Sequence, residues 1–95
     1  MGLRFEWDSK KAETNIKNHG VTFVEASTVF ADPLARIKDD PDHSETEERY
    51  IIIGMSQKFR ILVVVFTERN DWIRIISSRL ATKTERQQYE EKHHD

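Results

Sequence analysis

Apolar positions along the chain switch three times between strand and helix period, and turn residues divide the stretches between into elements. "LRFEWD" alternates, with Phe5 and Trp7 on one side, and predicts a short opening strand. Asp8 can cap a helix running through Asn18, because its carboxylate accepts from free backbone N–H groups. The apolar content of this helix is thin, only Ala12 and Ile16 four apart, and Gly20 stops it. In "VTFVEASTVF", Phe23, Ala26, Val29 and Phe30 recur at helical spacing. Thr22 and Glu25 form a capping box, and Val21 can staple onto Ala26. "ADP" ends this helix, since the residue before proline avoids helical backbone. Residues 34–38 suit a short edge strand. "RYIIIGMS", "FRILVVVFTER" and "DWIRIISSR" are rich in β-branched and aromatic residues and are separated by "SQK" and "RND", which predicts an antiparallel meander. Thr82 and Glu85 repeat the capping box and open a last helix carrying Tyr89. The expected order is β-α-α-β-β-β-β-α: an α+β fold with helices packed on an antiparallel sheet of four to five strands, in two layers.

Strict alternation in "WIRIISSR" puts Trp72, Arg74, Ile76 and Ser78 on one face and Ile73, Ile75, Ser77 and Arg79 on the other. The hairpin to the preceding strand has two registers. A three-residue loop centred on Asn70 pairs Arg74 with Phe66 and brings Arg60 to its face. A two-residue loop, Asn70-Asp71, pairs Arg74 with Thr67, brings Arg69 to its face and leaves Arg60 with Arg79. Both remain open, because a one-residue slip swaps the faces.

Ninety-five residues suffice for one domain, residues 1–95, with 37% hydrophobic and 34% charged content. Without cysteine there is neither a disulfide nor thiolate chemistry. The N-terminus lacks the apolar core of a signal peptide, and no apolar run approaches the roughly 18 residues a membrane helix needs. A cytoplasmic location is therefore expected. The net charge of -2 argues against a non-specific nucleic-acid coat. That average hides an asymmetry. Asp39 to Glu48, "DDPDHSETEE", has acids and no Lys or Arg, whereas Lys58 to Arg86 has seven basic residues against three acids. One region can attract phosphate while the whole stays near neutral.

"FEWD", "NIKNHGVTFVEASTVFADP", "HSETEERYIIIG" and "RIISSRLATKTERQQYE", in that order from Phe5 to Glu90, resemble the BrnT family, the toxin half of a bacterial type II toxin–antitoxin pair. The "HGVTF" block and the "IRIISSR" ending are the most telling. The resemblance implies a fold similar to RelE-type ribonucleases and RNA cleavage that slows translation. It also implies a BrnA-like antitoxin, possible hetero-oligomers with it, and contact with DNA only through that complex. The alternative is a non-catalytic binding partner of such a small repressor, with the acidic 39–48 segment receiving it.

Metal-free RNA cleavage uses the substrate's own 2′-hydroxyl as nucleophile. It needs a group to take that proton, a group to protonate the leaving oxygen, and cations to hold the phosphorane. Arg60, Arg74 and Arg79 suit the last role, since guanidinium stays charged and binds phosphate in bidentate fashion. His43 has the intrinsic titration range of a proton carrier, with Glu47 or Tyr89 as partner. As a solvated loop residue among acids, His43 also has a plainer reading. Lys11, Arg69, Trp72, Arg86 and Tyr89 are candidates for RNA contact. His19, before a glycine at a helix end, fits a cap or packing role, and Trp7 a core position. No ligand spacing points to a metal, and no cofactor is expected.

Overall fold

The computed structural model describes residues 2–41 and 48–91. Strand β1 (Arg4–Glu6) leads into helix α1 (Ser9–His19) and helix α2 (Phe23–Thr28), and a 3-10 turn (Val29–Ala31) extends α2. Strands β2 (Arg36–Asp39), β3 (Tyr50–Met55), β4 (Ile61–Arg69) and β5 (Trp72–Leu80) follow, then helix α3 (Lys83–Glu91). The element order is the one the periodicity predicts. The sheet order is β1-β5-β4-β3-β2. Strands β2 to β5 form the antiparallel meander, while β1 lies parallel to β5, so the sheet is mixed.

Capping explains where the helices begin and end. Asp8 accepts from the N–H groups of Lys10 and Lys11 at 2.9 and 3.0 Å, and Gly20 closes α1 at φ 67°. At α3 the capping box is reciprocal: Glu85 N–H donates to Thr82 Oγ1 at 3.2 Å, and Thr82 N–H donates to Glu85 Oε1 at 2.8 Å. At α2 it is half made. Thr22 accepts from Glu25 N–H at 3.0 Å, but the Glu25 carboxylate turns away into the interior.

The main core lies between one sheet face and α1 with α2. It joins Val21, Phe23, Ala26 and Val29 to Ile52, Leu62, Val64, Phe66, Ile73 and Ile75. Trp7 packs edge-on to Phe23, as a core residue should. Gly54 makes a close approach possible, because a Cβ there would lie 2.8 Å from Ala35 Cβ and 2.9 Å from Val29 Cγ1. α3 sits against the opposite face, where Tyr89 meets Ile53 and Val63. The helices are thus divided between the two faces, and α3 covers one end of its face.

α1 packs differently from the expected Ala12–Ile16 stripe. Ile16 is half exposed, and the buried residue is Asn15. β1 reaches only Trp72 to Arg74 of β5. Further along, the Asn15 amide pairs with the strand: Nδ2 donates to Ser78 O at 2.8 Å and Oδ1 accepts from Ser78 N–H at 3.1 Å. One side-chain amide does there what a neighbouring backbone would do, which satisfies both polar groups of a buried residue.

Candidate functional site

The β4–β5 register decides which arginines share a face. The connection is the two-residue loop Asn70-Asp71, with Arg69 opposite Trp72 and Thr67 opposite Arg74. The phase then shifts. Phe66 pairs with Ile75 but Val65 pairs with Ser77, so Ile76 is an extra residue, a β-bulge. Beyond it Val64 faces Ser78 and Val63 faces Arg79. Strict alternation separates Arg74 from Arg79; the bulge reunites them. Arg69, Trp72, Arg74, Ser77 and Arg79 all lie on the α3 face, in the part α3 leaves open.

Arg60 does not join them. Its guanidinium reaches the helix-covered side, where Nε donates to Glu25 Oε2 at 2.9 Å and the terminal nitrogen pairs with Glu25 Oε1. Ser56 Oγ donates to the same carboxylate at 2.7 Å. Glu25 is buried, and the Arg60 hydrogen bonds hold its carboxyl below the ordinary range against the opposing effect of burial. The structure therefore sets Arg60 apart from Arg74 and Arg79, with which the sequence groups it. Arg60 neutralises an interior acid that the capping-box pattern assigns to the end of α2.

Arg79 sits at the rim between the open face and α3. Nη1 and Nη2 donate to the two oxygens of Glu85 at 2.7 and 3.0 Å, and Nη1 also approaches Leu80 O at 3.3 Å. Arg79 lowers the Glu85 carboxyl to about 2. Three of five guanidinium N–H groups are used, which leaves Nε–H and one Nη2 hydrogen for a phosphate. The same carboxylate caps α3, so the helix start and the Arg79 fork are set by one residue. Arg74 is more weakly tied, 3.4 Å from Glu6 across the β1–β5 pair, with both side chains about a third exposed.

A cleft of about 370 Å³ runs across this face. Ile51, Val63 and Val65 floor it, with Ser77 and Arg79 from β5, His19 from the end of α1 and Asp40 from beyond β2. A second cleft of about 310 Å³ meets it at His19 and Ser77 and carries Lys10 and Lys11 along its wall. Arg49 extends β3 in the phase opposite to Tyr50, beside Thr67; its Nε is buried and makes no hydrogen bond among the described residues. His19 and Asp40 line this cleft and Arg49 lies on the same face of the sheet, and motif reading misses all three. The available signals were the "HG" step, which fixes an imidazole at a helix end, and the strand phase of Arg49.

The remaining candidates fall as follows. Lys11 is exposed on the second cleft. Trp72 is 39% exposed, unlike Trp7, and the Arg4 guanidinium lies 5.7 Å from its ring centroid. Tyr89 is corrected from an RNA contact to an internal anchor: it is buried, its hydroxyl donates to Asp32 Oδ2 at 2.6 Å, and burial first, then Asp32, pushes the phenol up to about 12. Arg86 lies on α3 beside Met55, Phe59 and Ile61, in a separate cleft from that of His19 and Arg79. His43 and Glu47 lie outside the described residues. Among the described residues no group of three or more His, Asp or Glu side chains could hold a metal ion, and no helix is long and apolar enough to cross a membrane.

The model of the ribonuclease toxin BrnT, of type II toxin–antitoxin systems, matches residues 7–85. The chain belongs to the BrnT family. It is thus a ribonuclease toxin of a type II system, and an antitoxin is its partner. The crystal structure of the Brucella abortus ribonuclease toxin, BrnT, matches with a TM-score of 0.63 and 25% sequence identity, covering 86% of this chain and 100% of that one. No curated protein matches. The α+β fold with three helices and a mostly antiparallel five-stranded sheet is thereby that of a BrnT toxin.

Proposed function

We propose that this BrnT-family chain cleaves RNA in the cleft between His19 and Arg79, with the strand lying along the open sheet face. One observation carries the reading: an imidazole and a guanidinium line one solvent-accessible cleft on the face that also bears Arg69, Arg74 and Arg49. Arg79, held by Glu85, turns its two remaining N–H groups to the scissile phosphate and stabilises charge as the phosphorane forms. Arg74 holds a neighbouring phosphate. His19 accepts the 2′-hydroxyl proton, as the imidazole that lines the same cleft as Arg79. Lys10 and Lys11 follow the backbone past the bulge. The nucleophile comes from the RNA, so the chemistry requires no metal. As the P–O5′ bond breaks, the leaving 5′-oxygen takes a proton from solvent water in the open cleft and His19 later returns its proton to solvent, so that the products are a 2′,3′-cyclic phosphate and a 5′-hydroxyl.

The antitoxin is, on this reading, a BrnA-like protein whose DNA-binding portion represses the shared operon, and the cytoplasm is where both act. The test is RNA cleavage by His19→Ala beside His43→Ala, each with a melting curve. His19→Ala is expected to lose about 10²- to 10⁴-fold in rate with unchanged melting. His43→Ala is expected to stay close to the parent. Loss confined to His43→Ala overturns the assignment and moves proton transfer to the acidic segment.

A further inference from the structure

The tip of the β4–β5 hairpin carries a feature the cleavage cleft does not use. A hollow of about 580 Å³ lies between the hairpin turn and the start of β1, and is lined by Arg4, Glu68, Asn70, Asp71 and Trp72 among others. Trp72 opens β5 on the arginine face, at one end of the row that leads through Arg74 to Arg79. Six residues of strand separate it from Arg79, roughly 20 Å. Arg4 packs over its ring at 5.7 Å and so holds the indole in one orientation, yet 39% of the residue stays in contact with solvent. A large apolar ring left exposed and braced by a cation is a ready stacking surface for a nucleobase.

The polar lining says which base. Asp71, in the turn next to Trp72, is an exposed carboxylate, able only to accept hydrogen bonds when ionised, while Glu68 borders the hollow from the opposite sheet face. Guanine has two adjacent donors on its Watson–Crick edge, N1–H and N2–H₂, which a carboxylate accepts in parallel. Adenine and cytosine offer one amino group beside an acceptor that a carboxylate repels, and uracil offers one N–H between two carbonyls. Asn70, at φ 55°, bends the turn and adds an amide that can donate to guanine O6.

We propose that this hollow is a guanine-binding subsite: the base stacks on Trp72, its Watson–Crick edge is read by Asp71, and Arg4 meets the adjoining phosphate. It rests on the reading that RNA lies along the open face. It adds sequence selection, set several nucleotides from the cleaved bond.

The two tryptophans make the test direct. Trp7 is packed in the core against Phe23, so ligand-dependent fluorescence change should come from Trp72. The intact chain is titrated with guanosine, adenosine, cytidine and uridine 5′-monophosphates at millimolar concentration, with no cleavage involved. Guanosine monophosphate is expected to change the emission with about tenfold higher affinity than the others. Trp72→Leu should abolish the response. Asp71→Asn should equalise the purines while Trp72 still stacks. Equal response to all four nucleotides overturns base reading, and a response that persists in Trp72→Leu overturns the site. Silence with every nucleotide but a shift on adding antitoxin would make the hollow a protein contact and overturn the proposal. Since cleavage by His19 and Arg79 variants is measured separately, selective guanine binding can fail while the cleavage cleft stands, and the reverse.

Discussion

The two faces of the sheet treat an arginine in opposite ways. On the helix-covered face, Arg60 is bound by a buried carboxylate that a serine hydroxyl also approaches, and its charge balances that interior acid while about a third of its own side chain stays in solvent. On the open face, Arg79 is also paired with a carboxylate, yet Glu85 is only partly buried and keeps contact with water, where Glu25 has almost none. The difference is in the environment of the acid. A buried carboxylate requires its cation, so that cation cannot serve a substrate. A carboxylate still in contact with water merely aims its partner. An arginine count on neighbouring strands therefore overstates the phosphate-binding capacity; the acids behind each one decide it.

Separate variants can break this contrast. The largest effect is expected from Arg60→Ala, which strands Glu25 in the core and should lower folding stability by about 3 kcal/mol in denaturant titration. Cleavage per folded molecule should survive, and a loss of cleavage at full folding would return Arg60 to the site. Arg79→Ala should do the reverse, with about 10²- to 10³-fold slower cleavage and stability lowered by less than about 1 kcal/mol. Asn15→Ala sharpens the view of the helix-covered face by removing the amide that completes the β5 edge. It should cost about 2 kcal/mol by leaving the Ser78 backbone groups unpaired, visible as faster amide exchange at Ser78. A smaller effect concerns acid. Glu85 has a folded value of about 2 against an ordinary 4.5, so its contribution is complete above about pH 4.5 and fades as pH falls toward 2. The Glu85→Gln variant should show a flatter loss of stability between those limits. The least is expected from Phe59→Gly. Phe59 sits at φ 62° and is 83% exposed, so glycine should raise the melting temperature slightly.

Much of this fold is legible from residue pattern alone. Asp8, Thr22 and Thr82 follow from local chemistry within four residues, and local chemistry is what a sequence displays; the Asn70-Asp71 loop does not, since two registers fit the same residues. The site depends on longer links. Glu25 satisfies the capping-box spacing, and nothing nearby reveals that Arg60, thirty-five residues on, will claim it. The bulge at Ile76 is hidden because β5 is apolar or small on both sides there, so either phase fits the pattern. His19 looks like a helix-end residue and is one; only the packing of α1 beside β5 brings it to the cleft. The Asn15 amide is equally invisible, since a polar residue on a thin amphipathic helix predicts exposure.

Ile76 has a consequence for how such a chain can vary over time. Because one supernumerary residue sets the parity of everything after it, substitutions in β5 disturb one position each, but losing or gaining a codon between Phe66 and Ser78 inverts the remainder of the strand. Arg79 would then point into hydrocarbon and Ser78 into solvent. Kin of this protein should therefore differ freely in spelling across that strand and keep its letter count.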